Sequence, residues 1–325
     1  MKTTKQIVEE MDKRIVGQED TKHVLALAST MQQMRHYQKF IADVDTSPIV
    51  LPVILLAGPS GSGKTSSVRA LAAATESPLL EIDATSCSPP GWHGHSVEEE
   101  FGDLIGYINY QLKAHQSGLI YSSLEGGLAR SIVFIDEFDK LFTGSDKEGY
   151  HQEKVNSWLK VIEGKIINAR KGKTEIDKIS TEDVLFILGG SFNHAKTLLK
   201  PKRGPGFVVS TPEAKELDKK ILSKLGFPDE LLGRITAISK LSPLDRKTLK
   251  KILHLKDGLL QQYKKYARLF GYELVIHPED VEEIVELAMN DEMGARKLNE
   301  LVFNFYKDKL FTLDFNDMTE RTMFL

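Results

Sequence analysis

The sequence predicts an α/β fold, a parallel β-sheet flanked by helices, followed by a small, mainly helical C-terminal domain. Three observations point to it. Short apolar runs recur at 53–57, 79–82, 132–135 and 184–188, separated by stretches of helical periodicity. That alternation marks parallel strands with helices on both faces. The first run leads at once into a glycine-rich loop and then a helix-like segment, a strand-loop-helix unit. After Leu241 the strand signal stops and apolar residues recur at helical spacing. The expected division is therefore a large α/β domain over 1–241 and a small helical domain over 242–325.

Taken in order, residues 3–40 read as helix with a break at Val16-Gly17-Gln18. The second of these helices opens on Glu19 and Asp20, acids suited to the positive end of its dipole, and carries Val24, Leu25, Leu27 and Ala28 on its apolar face. Residues 43–52, with two prolines, form a linker. A helix is expected over 66–74 and another over 153–164, where Val155, Leu159 and Ile162 share one face. Segments 143–150 and 169–178 look like flexible loops, the latter carrying the basic run Arg170-Lys171-Gly172-Lys173. Four helices close the chain, over 243–255, 259–270, 278–289 and 295–310.

The loop after the first strand reads Gly58-Pro59-Ser60-Gly61-Ser62-Gly63-Lys64-Thr65, with Ser66 opening the helix. Glycines at these positions let successive backbone N–H groups turn toward phosphate oxygens. A lysine here reaches the β- and γ-phosphates, and a hydroxyl next to it ligates Mg²⁺. Lys64 and Thr65 take these parts, and the loop is read as nucleotide-binding from Gly58 to Ser66. The strand-like run Ile132-Val133-Phe134-Ile135 ends in Asp136-Glu137, acids at the carboxyl end of a buried strand, where parallel sheets bind ligands. Asp136 is placed on the Mg²⁺ and Glu137 on the attacking water.

Composition narrows the remaining classes. The chain has 325 residues, 41% of them apolar, enough for two domains with ordinary cores. Its 43 basic and 46 acidic side chains leave a formal charge of −3, which gives no overall attraction to nucleic acid or to an anionic membrane. Cys87 is the single cysteine, so an intrachain disulfide and a multi-cysteine zinc site are both excluded. No apolar run approaches the ~20 residues that span a bilayer, and the polar start has no signal-peptide core. The expectation is a cytoplasmic protein without a membrane partner.

These motifs, with Ile15-Val16-Gly17-Gln18, Ser191-Phe192, Glu230-Leu231-Leu232-Gly233-Arg234-Ile235 and Gly294-Ala295-Arg296, fall in one order along the chain. In that order the chain resembles the AAA+ ATPases, and within them the Clp-type protein unfoldases of the ClpX and HslU group. The resemblance implies ATP as the nucleotide, with Mg²⁺, and an oligomeric ring, expected to be a hexamer. It places Ile15 and Val16 at the adenine and Arg296 on the same nucleotide from the small domain. Arg234 would be an arginine finger delivered to a neighbouring subunit. At the position where many relatives carry a polar sensor, this chain offers Ser191 or Asn193.

The resemblance also locates a pore loop at Gly91-Trp92-His93-Gly94. Glycines on either side leave the Trp92 ring as the gripping surface, and His93 replaces the usual aliphatic residue. Segment 146–152, with Tyr150, falls at a second pore contact, and Arg170-Lys171-Gly172-Lys173 near a basic loop at the pore mouth. The chain departs from ClpX in starting at the ATPase module, without the N-terminal zinc-binding domain, which leaves room for an adaptor or effector protein. Arg203-Gly204-Pro205-Gly206-Phe207-Val208 echoes the peptidase-docking loop only in Gly206-Phe207, which argues against a peptidase partner. The function expected is an ATP-dependent motor that remodels or unfolds protein substrates. The alternative is an ATP-gated oligomeric scaffold controlling a separate effector. A nucleic-acid motor or loader ranks below both, because the pore loop has no flanking Lys or Arg.

Overall fold

The computed structural model describes residues 1–44, 50–88, 95–114, 121–142, 150–171, 174–193, 195, 217–269, 271–291 and 294–311. Its strands are β1 (Val53–Ala57), β2 (Leu79–Asp83), β3 (Ile132–Asp136), β4 (Ile166–Lys171), β5 (Thr174–Ser180), β6 (Leu185–Gly190) and β7 (Ile235–Lys240). Five of them form one parallel sheet in the order β2-β3-β6-β1-β7. β4 and β5 form a separate antiparallel pair.

Alternation along each central strand divides the core in two. Ile54 and Leu56 of β1, Ile132 and Phe134 of β3, and Leu185 and Ile187 of β6 face one layer. That layer contains α1 (Thr4–Asp12), α2 (Glu19–Phe40) and α3 (Lys64–Thr75), through Ile7, Met11, Leu25, Val68 and Leu71. The intervening residues, Val53, Leu55, Val133, Ile135, Phe186 and Leu188, face the other layer. There they meet α4 (Val97–Lys113), α5 (Leu124–Leu128), the 3₁₀ turn Phe138–Phe142 and α6 (Tyr150–Ile162), with α7 (Lys219–Lys224) and α8 (Asp229–Arg234) beside them. Strands buried on both faces read as continuous apolar runs, which is why these were visible in the sequence.

Three elements differ from expectation. Segment 169–178, read as a flexible loop, is largely the β4–β5 pair, with residues 172–173 outside the described residues. Ile167, Ala169 and Ile179 are buried there, a period-two signal that the charged residues between them obscured. The basic run expected as a pore-mouth loop therefore begins inside a strand, at Arg170 and Lys171. Tyr150, expected in a loop, is the first residue of α6, while 143–149 lie outside the described residues. β7 was not foreseen, because Thr236, Ser239 and Lys240 dilute its apolar pattern. Ser239 is nonetheless fully buried, bonded to Thr21 Oγ1 at 2.8 Å and to the Asp20 carboxylate at 3.0 Å.

The helices after Leu241 are α9 (Arg246–Leu253), α10 (Leu259–Leu269), α11 (Pro278–Met289) and α12 (Ala295–Phe311). They share a core of their own, built on Leu249, Leu253, Leu260, Ile284, Val285, Leu298, Val302 and Tyr306. α11 begins with proline in its first turn behind a reciprocal cap between His277 and Asp280. Among the described residues, no helix is long and apolar enough to cross a membrane.

One close approach sets a stability test. A Cβ on Gly127 of α5 would lie 2.5 Å from Ile108 Cγ2 and 3.1 Å from the Tyr121 ring. Gly127→Ala is expected to cost about 1–3 kcal/mol by overpacking. Thermal unfolding followed by circular dichroism should show Tm falling about 2–4 °C for each kcal/mol. A Tm equal to the parent's would mean that the α4–α5 contact yields without cost.

Candidate nucleotide site

The phosphate loop is tied to the sheet at its first residue, where the Gly58 N–H donates to the Gly190 carbonyl at 3.1 Å. No side chain fits at that position. A Cβ on Gly58 would meet Leu241 Cβ and Ser62 Oγ at 2.9 Å. Gly61 and Gly63 have φ of +73° and +100°, a backbone conformation that glycine adopts without strain, and so the loop folds back before α3 begins. Gly63 caps α3 without a side-chain bond, so the first N–H groups of that helix stay available to an anion. Ser62 Oγ is buried and has no hydrogen-bond partner among the described residues, an acceptor and donor left for a ligand.

Lys64 lies back over this loop, its Nζ donating to the carbonyls of Gly58 at 2.6 Å and Pro59 at 3.1 Å. Burial draws its ammonium below the ordinary lysine value; the Asp136 carboxylate opposes that, and the charge of Arg296 adds to it. Negative charge placed beside it would favour its charged form. The Thr65 hydroxyl donates to Asp136 Oδ2 at 3.3 Å, which brings together the two hard-oxygen groups assigned to the metal. Both belong to elements that end here, α3 at its first turn and β3 at its last residue.

Glu137 follows Asp136 with φ +55°, an uncommon conformation for a residue with a side chain. Its N–H donates to Asp136 Oδ1 at 2.8 Å, and its carboxylate pairs with Lys140 Nζ at 2.6 Å. Asp139, two residues further, is buried and accepts from the Phe192 N–H at 2.7 Å and the Ser191 hydroxyl at 3.2 Å. Of the two sensor candidates, Ser191 is thus engaged by Asp139. Asn193 instead borders the cleft of 570 Å³ formed by Pro59 to Ser62, Pro243, Leu244 and Gly294.

The N-terminal and C-terminal parts of the chain both reach the loop. Ile15 is buried in the α1–α3 layer and Val16 borders a neighbouring cleft with Gln18, Ser242 and Pro243. Gln18 Nε2 donates to the carbonyls of Ser62 at 3.1 Å and Ser242 at 2.8 Å, and its Oε1 accepts from the Ser242 N–H. From the other side, the Ala295 N–H donates to the Gly61 carbonyl at 3.4 Å, bringing exposed Arg296 within electrostatic range of Lys64. Sequence reasoning did not single out Gln18, although it stands inside a quoted motif, or Asp139, two residues beyond Glu137. Neither position announces from sequence that its side chain will hold backbone.

Arg234 is not part of this cluster. It precedes β7, whose Ile235 pairs with Val53 and whose Lys240 pairs with Ala57. The length of the strand, about 16 Å at 3.3 Å per residue, therefore separates it from the loop of its own chain. Its side chain is exposed and makes no ion pair among the described residues, Glu230 included. Gly91, Trp92, His93 and Gly94 lie outside the described residues, as does 203–208.

Comparison with known proteins gives the family. The profile of the AAA domain (Cdc48 subfamily) matches residues 51–238, more than half of the chain. The chain is 31% identical over 340 aligned positions to the ATP-dependent Clp protease ATP-binding subunit ClpX of Borrelia duttonii, covering 96% of this chain and 74% of the relative. This chain is a Clp-type AAA+ ATPase. It accordingly binds ATP and hydrolyses it. A second ClpX subunit, from Bacteroides fragilis, is 28% identical with 95% of this chain and 77% of the relative covered. Residues 244–318 of this Clp-type ATPase match the C-terminal D2-small domain of ClpB, the helical portion whose Gly294 and Ala295 touch the phosphate loop.

Proposed function

We propose that this Clp-type ATPase is a protein-remodelling motor that works as a homo-oligomeric ring, a hexamer, and threads polypeptide past Trp92. The observation that carries this reading is the similarity to ClpX subunits along 96% of the chain, with the nucleotide motifs converging in space. The body over 1–241 would hold the phosphates and that over 242–325 would close on them, through the contact of Ala295 with Gly61. Lys64 binds the β- and γ-phosphates, the N–H groups from Gly58 to Ser66 cradle them, and Ile15 and Val16 border the adenine. Thr65 and Asp136 would hold Mg²⁺, whose charge, when it is bound, offsets that on the phosphate oxygens. Glu137 orients and deprotonates the attacking water. Arg296 senses the nucleotide from the small domain, which links nucleotide state to the angle between the two bodies.

Arg234 acts on a neighbour's nucleotide, because its distance from its own loop leaves it without a role there. The ring would use Gly91, Trp92, His93 and Gly94 as its moving grip, and protein substrates, delivered by an adaptor or effector, as its load. A cytoplasmic setting fits a single buried cysteine, whose thiol is pushed up to about 12 by burial and then by the charge of Glu100.

The test follows ATP consumption and fluorescence of a stably folded fluorescent protein carrying unstructured terminal tags, with a trap for unfolded chains. Loss of fluorescence that needs ATP is expected with the parent. Trp92→Ala should abolish that loss while leaving ATP-dependent assembly unchanged. Remodelling that survives Trp92→Ala intact would remove the grip from this loop. Hydrolysis with no remodelling of any tagged substrate would favour a gated scaffold.

A further inference from the structure

At the end of the sheet away from the phosphate loop, a cavity of 380 Å³ opens between α2, the last turn of α3 and the residues before β3. Lys2, His36, Tyr37, Ile41, Glu76 and Arg130 line it. Arg130 is 5% exposed, and Nη2 donates to the Thr75 carbonyl at 2.8 Å. Its Nε is buried with no hydrogen-bond partner, and no carboxylate among the described residues lies within ion-pair distance. A buried guanidinium in that condition is strongly unfavourable unless something anionic meets it. His36 beside it is 7% exposed, and its Nε2 also lacks a partner. Burial, and then the charge of Arg130, pushes its imidazole down to about 4, so it remains neutral near pH 7 and can donate or accept without adding repulsion.

We propose that this cavity is a second ligand site, taking a small oxyanion, phosphate or carboxylate, on Arg130 with Lys2 at its mouth. The volume is that of a small-molecule pocket. Tyr37 and Ile41, 53% and 65% exposed, give an apolar rim to an organic body attached to the anion. The acid in the cavity, Glu76, pairs with Lys2 at 3.4 Å, and its charge also reaches Arg130, which makes it the ligand's competitor there. The site is separate from the nucleotide, because Arg130 leads into β3 at the end opposite Asp136.

The experiment uses the full chain carrying Lys64→Ala, so that phosphate has no ammonium to meet in the nucleotide loop. Sodium phosphate and sodium succinate are titrated by calorimetry against sodium chloride at matched ionic strength. Saturable binding of one or both anions at one site per chain is expected, and which anion binds names the group. Adding Arg130→Gln should weaken it at least tenfold. Adding Glu76→Gln instead, at an exposed position that leaves the fold intact, should tighten it severalfold. Absence of saturable binding by either anion overturns the proposal, as does binding that Arg130→Gln leaves unchanged. If Arg130→Gln does not fold, the Glu76→Gln arm decides, and no tightening there overturns it.

Discussion

Arg234→Ala is expected to lower ATP turnover by about a thousandfold or more while ATP binding stays near the parent's, since arginine fingers contribute about 10³–10⁵ in rate. The reason is positional. Arg234 stands at the amino end of β7 and the proposed phosphate loop at the carboxyl end of β1, so within one chain the two do not meet. An exposed guanidinium beside Gly233, without an ion-pair partner among the described residues, suits the role proposed for it in a neighbour's site. The decisive version mixes Arg234→Ala subunits with subunits carrying Glu137→Gln. Each mixed interface of one orientation then combines an intact Arg234 with an intact Glu137, and turnover should reappear. No recovery despite confirmed co-assembly would refute action between subunits.

Glu137→Gln alone should reduce turnover by about 10²–10⁴, the usual contribution of a positioned base, and should leave ATP bound and uncleaved. The amide retains shape and hydrogen-bonding capacity but not basicity. The position is well defined for this purpose. Phe134 and Ile135 are anchored in opposite core layers, and Asp136 holds the Glu137 N–H, which fixes the backbone at φ +55°. In the present geometry the carboxylate rests on Lys140, an ion pair that is about half exposed and so weakly held. Radiolabelled ATP retained on a filter without release of phosphate would be the expected signature. Hydrolysis at the parent rate would take the water-activating role away from Glu137.

Most of the sheet was legible because β1, β3 and β6 are buried on both sides and consist of little besides Ile, Leu, Val and Phe. The glycine-rich loop was legible for a different reason. Its glycines answer local backbone geometry, and local geometry is written in adjacent residues. What stayed hidden depended on partners far along the chain. Ser239 tolerates burial in β7 because Asp20 and Thr21 of α2 satisfy it, more than two hundred positions earlier. Gln18 reads as an ordinary helix-flanking residue until Ser62 and Ser242 are found around it. The β4–β5 pair shows the limit of charge as a guide, since a basic run at 170–173 suggested solvent while Ile167 and Ala169 were burying one face.

The strand order β2-β3-β6-β1-β7 has a consequence for how the molecule is made. Among the described strands β1 leaves the ribosome first, yet both of its hydrogen-bonding neighbours come late, β6 at Leu185–Gly190 and β7 at Ile235–Lys240. At about 5–20 residues per second, synthesis keeps both edges of β1 unpaired for several seconds or more. Pairings so distant in sequence also form slowly once they are possible. During that interval Val53 to Ala57 is an unpaired apolar strand with helices available to cover its faces but nothing to cover its edges. The nascent chain therefore carries an aggregation hazard in the strand that leads into its glycine-rich loop.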